Sequence, residues 1–210
     1  MTPRLLILPI LAFTATLAHA AKDADLKPSL ASPGKIIFEA AFESGGLEKP
    51  WTMAKGDWQV KDGAVIGKEK ASDMHPAVLI LGLPRRDSII RFSFKMDGAK
   101  VFSLSYNQAK GHLFRVVVSP DALAVNKDKD KKVEASKGEP LGRATAKFAK
   151  GEWHTMLVEV KGPKVIVQTD NGAKVEASNA ALEVDKTGYR FVMRGESLLL
   201  DDVKVWEVAP

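Results

Sequence analysis

His112 and Arg115 stand close together in the run GHLFRVVV, Gly111–Val118. The pair joins an imidazole, which exchanges a proton near neutrality, to a guanidinium, which presents a planar fork of donors. Arg91 and Ser93 in SIIRFSFKM, with Ser103, Ser105 and Asn107 in VFSLSYN, add short and long polar side chains nearby. A recess floored by serines and edged by arginines suits the hydroxyls, or a carboxylate, of a sugar. The expected ligand-binding set is therefore Arg91, Ser103, Ser105, Asn107, His112 and Arg115. The alternative for the same residues is an ordinary solvated face, which half-exposed antiparallel sheets commonly present.

Strands must position this set. Ser88–Met96 alternates, with Ile90, Phe92, Phe94 and Met96 on one face and Ile89, Arg91, Ser93 and Lys95 on the other. Asp97-Gly98 turns into a run that sets Phe102, Leu104 and Tyr106 against Ser103, Ser105 and Asn107. The expectation is that the two strands are neighbours in one sheet, their polar residues together on its outer face. His112 and Arg115 differ in strand parity. They share a face only if His112 precedes pairing or the strand is bulged.

Other chemistries have less support. His75, beside Pro76, is expected at a sheet rim, and His154 at a strand start reads as a satisfied structural histidine. Neither H-x-H nor H-E-x-x-H occurs, so zinc is not indicated. G-x-S-x-G, P-loop and G-x-G-x-x-G patterns are also missing. Trp51, Trp58, Trp153 and Trp206 sit in turn-and-strand motifs and are expected as core plugs, Trp153 buried, more than as sugar platforms.

The chain has 210 residues, a net charge of +5 and no cysteine. Arg4, the apolar run Leu5–Leu17 and Ala18-His19-Ala20 form the positive, hydrophobic and small-x-small regions of a signal peptide. Residues 1–20 are therefore expected to be removed on export to the periplasm or outside the cell, and the run is too short for membrane insertion. With no disulfides, one apolar core must hold the fold. Positive charge is spread along the chain, with much of the lysine in Lys127–Glu139, so nucleic acid is not an expected partner. Residues 21–34, small, polar and proline-bearing, read as a linker.

The remaining stretch, 35–208, is written in strands and turns. Trp153–Val160 and Lys164–Thr169 flank Lys161-Gly162-Pro163 as a hairpin, and Asp170-Asn171-Gly172 makes the next turn. Asp62-Gly63 between two short apolar runs is a second hairpin signal. No sustained helical period occurs, although Ala177–Val184 has room for a helical turn. The expected fold is all-β, a single two-sheet jelly-roll β-sandwich of about a dozen strands.

Phe42-Glu43-Ser44-Gly45-Gly46-Leu47, Trp51, Gly56-Asp57-Trp58-Gln59-Val60 and Asp62–Gly67 resemble the opening of concanavalin/laminin-G-like jelly rolls. More narrowly they are similar to the secreted bacterial 3-keto-disaccharide hydrolase domains. Gly151–Thr155 and Asp201–Trp206 extend the resemblance over almost all of Lys35–Glu207. It implies a carbohydrate partner, cleavage of an oxidised disaccharide as one activity, and calcium as the candidate cofactor. Asp201-Asp202 lacks an EF-hand loop, so calcium would need discontinuous ligands, with strand-end packing as the other reading. The E-x-D-x-x-E run of family 16 glycoside hydrolases is missing; Glu43, Asp57, Glu159, Asp201 and Asp202 do not reproduce it. The catalytic residues are thus not assigned. The expected function is an exported protein that binds or processes a glycan on a polar sheet face. A hydrolase of 3-keto-disaccharides and a non-catalytic cell-surface interaction module are the alternatives.

Overall fold

The structure, a computed structural model, describes residues 25–43 and 45–210. The expected signal peptide and its cleavage point lie outside the described residues. Along the chain the strands are β1 (Pro33–Ala40), β2 (Trp51–Lys55), β3 (Asp57–Lys61), β4 (Ala64–Lys68) and β5 (Ala77–Leu81). The longer central ones follow: β6 (Ser88–Met96), β7 (Ala99–Gln108), β8 (Gly111–Ser119), β9 (Ala122–Lys127) and β10 (Glu139–Thr145). The last are β11 (Trp153–Lys161), β12 (Lys164–Thr169), β13 (Lys174–Ser178), β14 (Tyr189–Gly195) and β15 (Leu198–Val208). One sheet runs β13-β12-β11-β6-β15-β4-β3, with β1 also on β15; the other runs β10-β9-β8-β7-β14-β5-β2. Among the described residues the only helical pieces are single 3-10 turns, Ala71–Asp73 and Ala180–Leu182, the second inside the segment expected to hold one. The all-β, two-sheet jelly roll is what the strand-and-turn pattern predicts.

Aromatic rings fill the space between the sheets. Phe92 and Phe94 of β6 meet Phe102 of β7 at 5.9 and 5.3 Å between ring centres, and Phe92 meets Phe191 of β14 at 5.3 Å. All four are fully buried, and each such side chain stabilises the fold by about 1.5–3 kcal/mol. The rings thus meet across the sandwich, and β6 and β7 are not neighbours in one sheet. β6 pairs with β11 and β15, while β7 pairs with β8 and β14. Between them Gly98, at φ 94°, lets the chain cross from one layer to the other. The expected parities hold, but the polar faces of the two strands point away from each other, to opposite surfaces.

Parity also moves Trp153. His154, Met156, Val158 and Val160 take the core face of β11, so Trp153 is half-buried on the outer face with Lys95 Nζ 5.2 Å from its ring centre. Trp51 and Trp58 are core residues as expected, while Trp206 lies outside on β15. Leu26 and Ala31 pack with Trp206 against Ile89 and Leu157 on that outer face. There Glu159, wholly buried, accepts hydrogen bonds from the backbone N–H groups of Ser29 (2.9 Å), Leu30 (2.8 Å) and Ala31 (3.0 Å). The stretch expected as a linker is therefore fastened to the sheet from Leu26 onward. No helix among the described residues is long and apolar enough to cross a membrane.

Candidate functional site

The hairpin of β7 and β8 settles the parity conflict between His112 and Arg115. Tyr106 is opposite Phe114, but Asn107 is opposite His112, which leaves Leu113 as the extra residue of a bulge. Leu113 and Phe114 are both buried in the core, 4% and 0% exposed. Two successive inward side chains reset the alternation, and His112 and Arg115 emerge on the same outer face.

The next strand completes that face. β14 runs antiparallel to β7 with Arg190 opposite Ser105, Val192 opposite Ser103 and Arg194 opposite Val101. On the other side Ser105 is opposite Arg115. Ser105 therefore lies between two arginines, and both serines are nearly buried, 7% and 5% exposed for Ser103 and Ser105. Short side chains between long ones leave a recess of about 360 Å³, near the lower end of the range for small-molecule sites. Met74, His75 and Pro76, in the loop before β5, form one wall. Met74 is 94% exposed and sits at φ 46° as the C-cap of the Ala71–Asp73 turn. A bulky residue in the left-handed region is strained, and such strain clusters at ligand sites.

Of the six expected ligand-binding residues, Ser103, Ser105, His112 and Arg115 line this recess. Asn107 reaches it through His112, whose Nδ1 is 3.1 Å from Asn107 Oδ1. Arg91 does not belong to it. It projects from the outer face of the opposite sheet, beside Glu39, Asp202 and Lys204, because β6 and β7 are in different layers. Arg190, Arg194 and Met74 are additions that sequence reasoning missed. His75, expected at a rim, is at the rim of this recess.

Electrostatics follow from burial. Arg115 donates from Nε to Asp128 Oδ2 at 3.2 Å and from the guanidinium end to Oδ1. Burial pushes His112 below the ordinary imidazole value; Asp128 opposes this, and Arg190, Arg115 and Lys131 reinforce it. Burial also lowers Arg190. His112 is thus mostly neutral near pH 7. With Asn107 Oδ1 as acceptor, Nδ1 carries the proton and Nε2 is left with a lone pair. No carboxylate lines the recess among the described residues, so the pair of acids that ordinary glycoside hydrolysis needs is not supplied there.

The other histidine has a structural setting. His154 faces the core between Phe94 and Phe148, its Nδ1 3.0 Å from Asp170 Oδ1, with Nε2 buried and unpartnered. The expectation of a satisfied histidine holds for one ring nitrogen only. Among the described residues no three His, Cys, Asp or Glu side chains converge on a metal-sized site. Asp201 Oδ1 accepts the Asp202 N–H at 2.7 Å. The pair lies inside β15, where the register against β6 shifts between Asp201 and Lys204, so the expected strand-end packing is instead packing at a mid-strand bulge.

No family model matches the chain, and no curated protein matches it. Solved structures do. A carbohydrate-binding module, CBM66 from Bacillus subtilis, aligns over 75% of this chain and 95% of its own with TM-score 0.60 and 12% identity. The laminarinase from Rhodothermus marinus covers 87% and 100% with TM-score 0.62 and 11% identity. Porphyranase B from Zobellia galactanivorans covers 84% and 93% with TM-score 0.62 and 10% identity. At such identity the likeness is one of fold, and the fold these three share with this chain is the two-sheet jelly-roll β-sandwich.

Proposed function

We propose that this protein is exported and binds a glycan in the recess of Ser103, Ser105, His112, Arg115 and Arg190, with Asn107 orienting His112. The bulge at Leu113 carries this reading, because it brings an imidazole and a guanidinium onto one face above a floor of serines. Ser103 and Ser105 leave depth for a sugar ring, Arg115 and Arg190 donate to its oxygens, and the exposed Met74 offers an apolar wall to ring carbons. Carbohydrate-binding and carbohydrate-cleaving proteins among the structural neighbours support a sugar as the ligand class.

A glycan array probed with protein beginning at Ala21 tests the proposal. Wild type is expected to retain a subset of glycans, and Ser105→Tyr, which fills the floor, to retain none while melting within a few degrees of wild type. Binding to no glycan by wild type, or unchanged binding by Ser105→Tyr, would remove the recess as a glycan site.

One observation favours catalysis on the same site. His112 lines the recess as a neutral base, with its ring held through Nδ1. A ketone at sugar C3 acidifies the C2 hydrogen. Removal of that proton by His112 expels the leaving group from C1, and addition of water completes hydrolysis of a 3-keto-disaccharide. Turnover of a 3-keto-disaccharide that disappears in His112→Ala at saturating substrate, beyond any loss of binding, is the expected result. Turnover surviving in that variant excludes His112 as the base.

A further inference from the structure

Arg115, Arg190 and Arg194 all face the recess, with His75 and His112 beside them. Asp128 is the one carboxylate in contact with any of these groups among the described residues, and it is joined to Arg115. Arg190 and Arg194 have no ion-pair partner among the described residues. Arg190 is half-buried, and its Nε is shut off from solvent with no acceptor. One N–H of a charged donor has lost its water, and the protein provides no acceptor for it, while the rest of the half-buried guanidinium opens on the recess. A site built that way is completed by its ligand.

The missing partner must bring charge as well as lone pairs. A neutral sugar hydroxyl accepts a hydrogen bond but leaves a partly desolvated cation uncompensated. A carboxylate or sulfate oxygen does both, and two of its oxygens match the guanidinium fork. Val78, Val101 and Val192 also line the recess, so its apolar wall lies beside Arg194, which is itself exposed and free to swing onto a ligand. The lowering of Arg190 by burial agrees with a cation that lacks its counter-ion.

We infer that the recess takes an anionic glycan, one bearing a carboxylate or a sulfate on the sugar unit that meets Arg190; this rests on the recess being the glycan site. Arg190 is the residue that selects charge, Arg194 reinforces it, and Arg115, already neutralised by Asp128, serves hydroxyls.

The experiment compares size-matched probes by calorimetry: trigalacturonic acid, its methyl ester, a sulfated galactan oligosaccharide and neutral galactotriose. Wild type is expected to bind the uronate or the sulfated probe at least about tenfold tighter than either neutral one, and more weakly as salt rises. Which charged probe wins separates carboxylate from sulfate. Arg190→Gln is expected to abolish that preference, whereas Lys164→Gln, exposed at the start of β12 in the opposite sheet, keeps it. Should Arg190→Gln fail to fold, Arg194→Gln and the salt dependence of wild type carry the test, each expected to weaken only charged-probe binding. Equal binding of neutral and charged probes overturns the inference and leaves the glycan site standing. Binding of no probe of either kind overturns both.

Discussion

The backbone N–H of Asp128 donates to the carbonyl of Leu113 at 2.8 Å. Leu113 is the bulge residue that turns His112 outward, and the Asp128 carboxylate holds Arg115. One residue just past β9 therefore ties the bulge and the guanidinium together. Asp128→Ala is expected to cost about 1 kcal/mol in urea melts, a modest figure because the Arg115 side of the pair is 41% exposed. The larger effect falls on His112. Asp128 raises its pKa, so its removal should move the imidazole titration, followed by NMR, to still lower pH. An unmoved titration would mean that Asp128 does not reach the recess electrostatically.

The pH dependence of binding has a definite sign. His112 titrates below 6.5 in the free protein, held there first by burial and then by Arg190, Arg115 and Lys131 against Asp128. An anion seated beside it favours the protonated ring and raises that value. Linkage then requires affinity for an anionic glycan to increase as pH falls from about 8 to about 5. His112→Gln should flatten the curve, apart from any contribution of His75. For stability the sign is opposite. A depressed imidazole stabilises the fold above its ordinary value, and this is lost as pH falls through 6.5 toward the lowered value.

Met74 gives a test of strain at the recess wall. At φ 46° its left-handed conformation costs about 1–2 kcal/mol for an L side chain. Met74→Gly is expected to raise stability by about 0.5–1 kcal/mol while weakening glycan binding through loss of the apolar wall. A variant that is both less stable and fully competent to bind would show that Met74 has no role at the recess.

Glu159, on the outer face of the sheet opposite the recess, gives a separate test. Its carboxylate collects three backbone N–H groups from Ser29–Ala31, and charge-assisted bonds of this kind are about twice as strong as neutral ones. Glu159→Ala should cost about 2–4 kcal/mol and expose Leu26–Ser32 to rapid amide exchange. Ligand binding, on the other sheet, should be unchanged. Protection of Ser29–Ala31 in the variant would show that apolar packing by Leu26 and Ala31 alone holds the segment.

A substitution in the core checks how closely the first hairpin is packed. Trp58 lies against Gly67, where an added Cβ would come within 2.2 Å of the indole. Gly67→Ala should displace the ring and cost about 1–3 kcal/mol, read from a red-shifted, weaker tryptophan signal and a lower melting temperature.

Local pattern determined a good deal. Alternation in Ser88–Met96 and Val101–Asn107 assigned the inward and outward faces correctly, since side-chain direction in a strand has period two whatever its partner. Asp62-Gly63 marked its hairpin because both residues must take positive φ, 52° and 73°. The serines of the recess floor were visible by the same means, whereas alternation alone set His112 and Arg115 on opposite faces and the bulge at Leu113 brought them together. Tertiary structure decided the rest. Parity says which side of its own sheet a residue faces but not which sheet the strand joins, so Arg91 was grouped with Ser103 although the two lie on opposite surfaces. β2 and β10 are edge strands with mostly exposed patterns, and without alternation they leave no period to find. Arg190 and Arg194 reach the recess only because β14 pairs with β7. That contact joins distant parts of the chain, and it is set by the packing of Phe191 and Met193 against the opposite sheet, not by any neighbour in sequence.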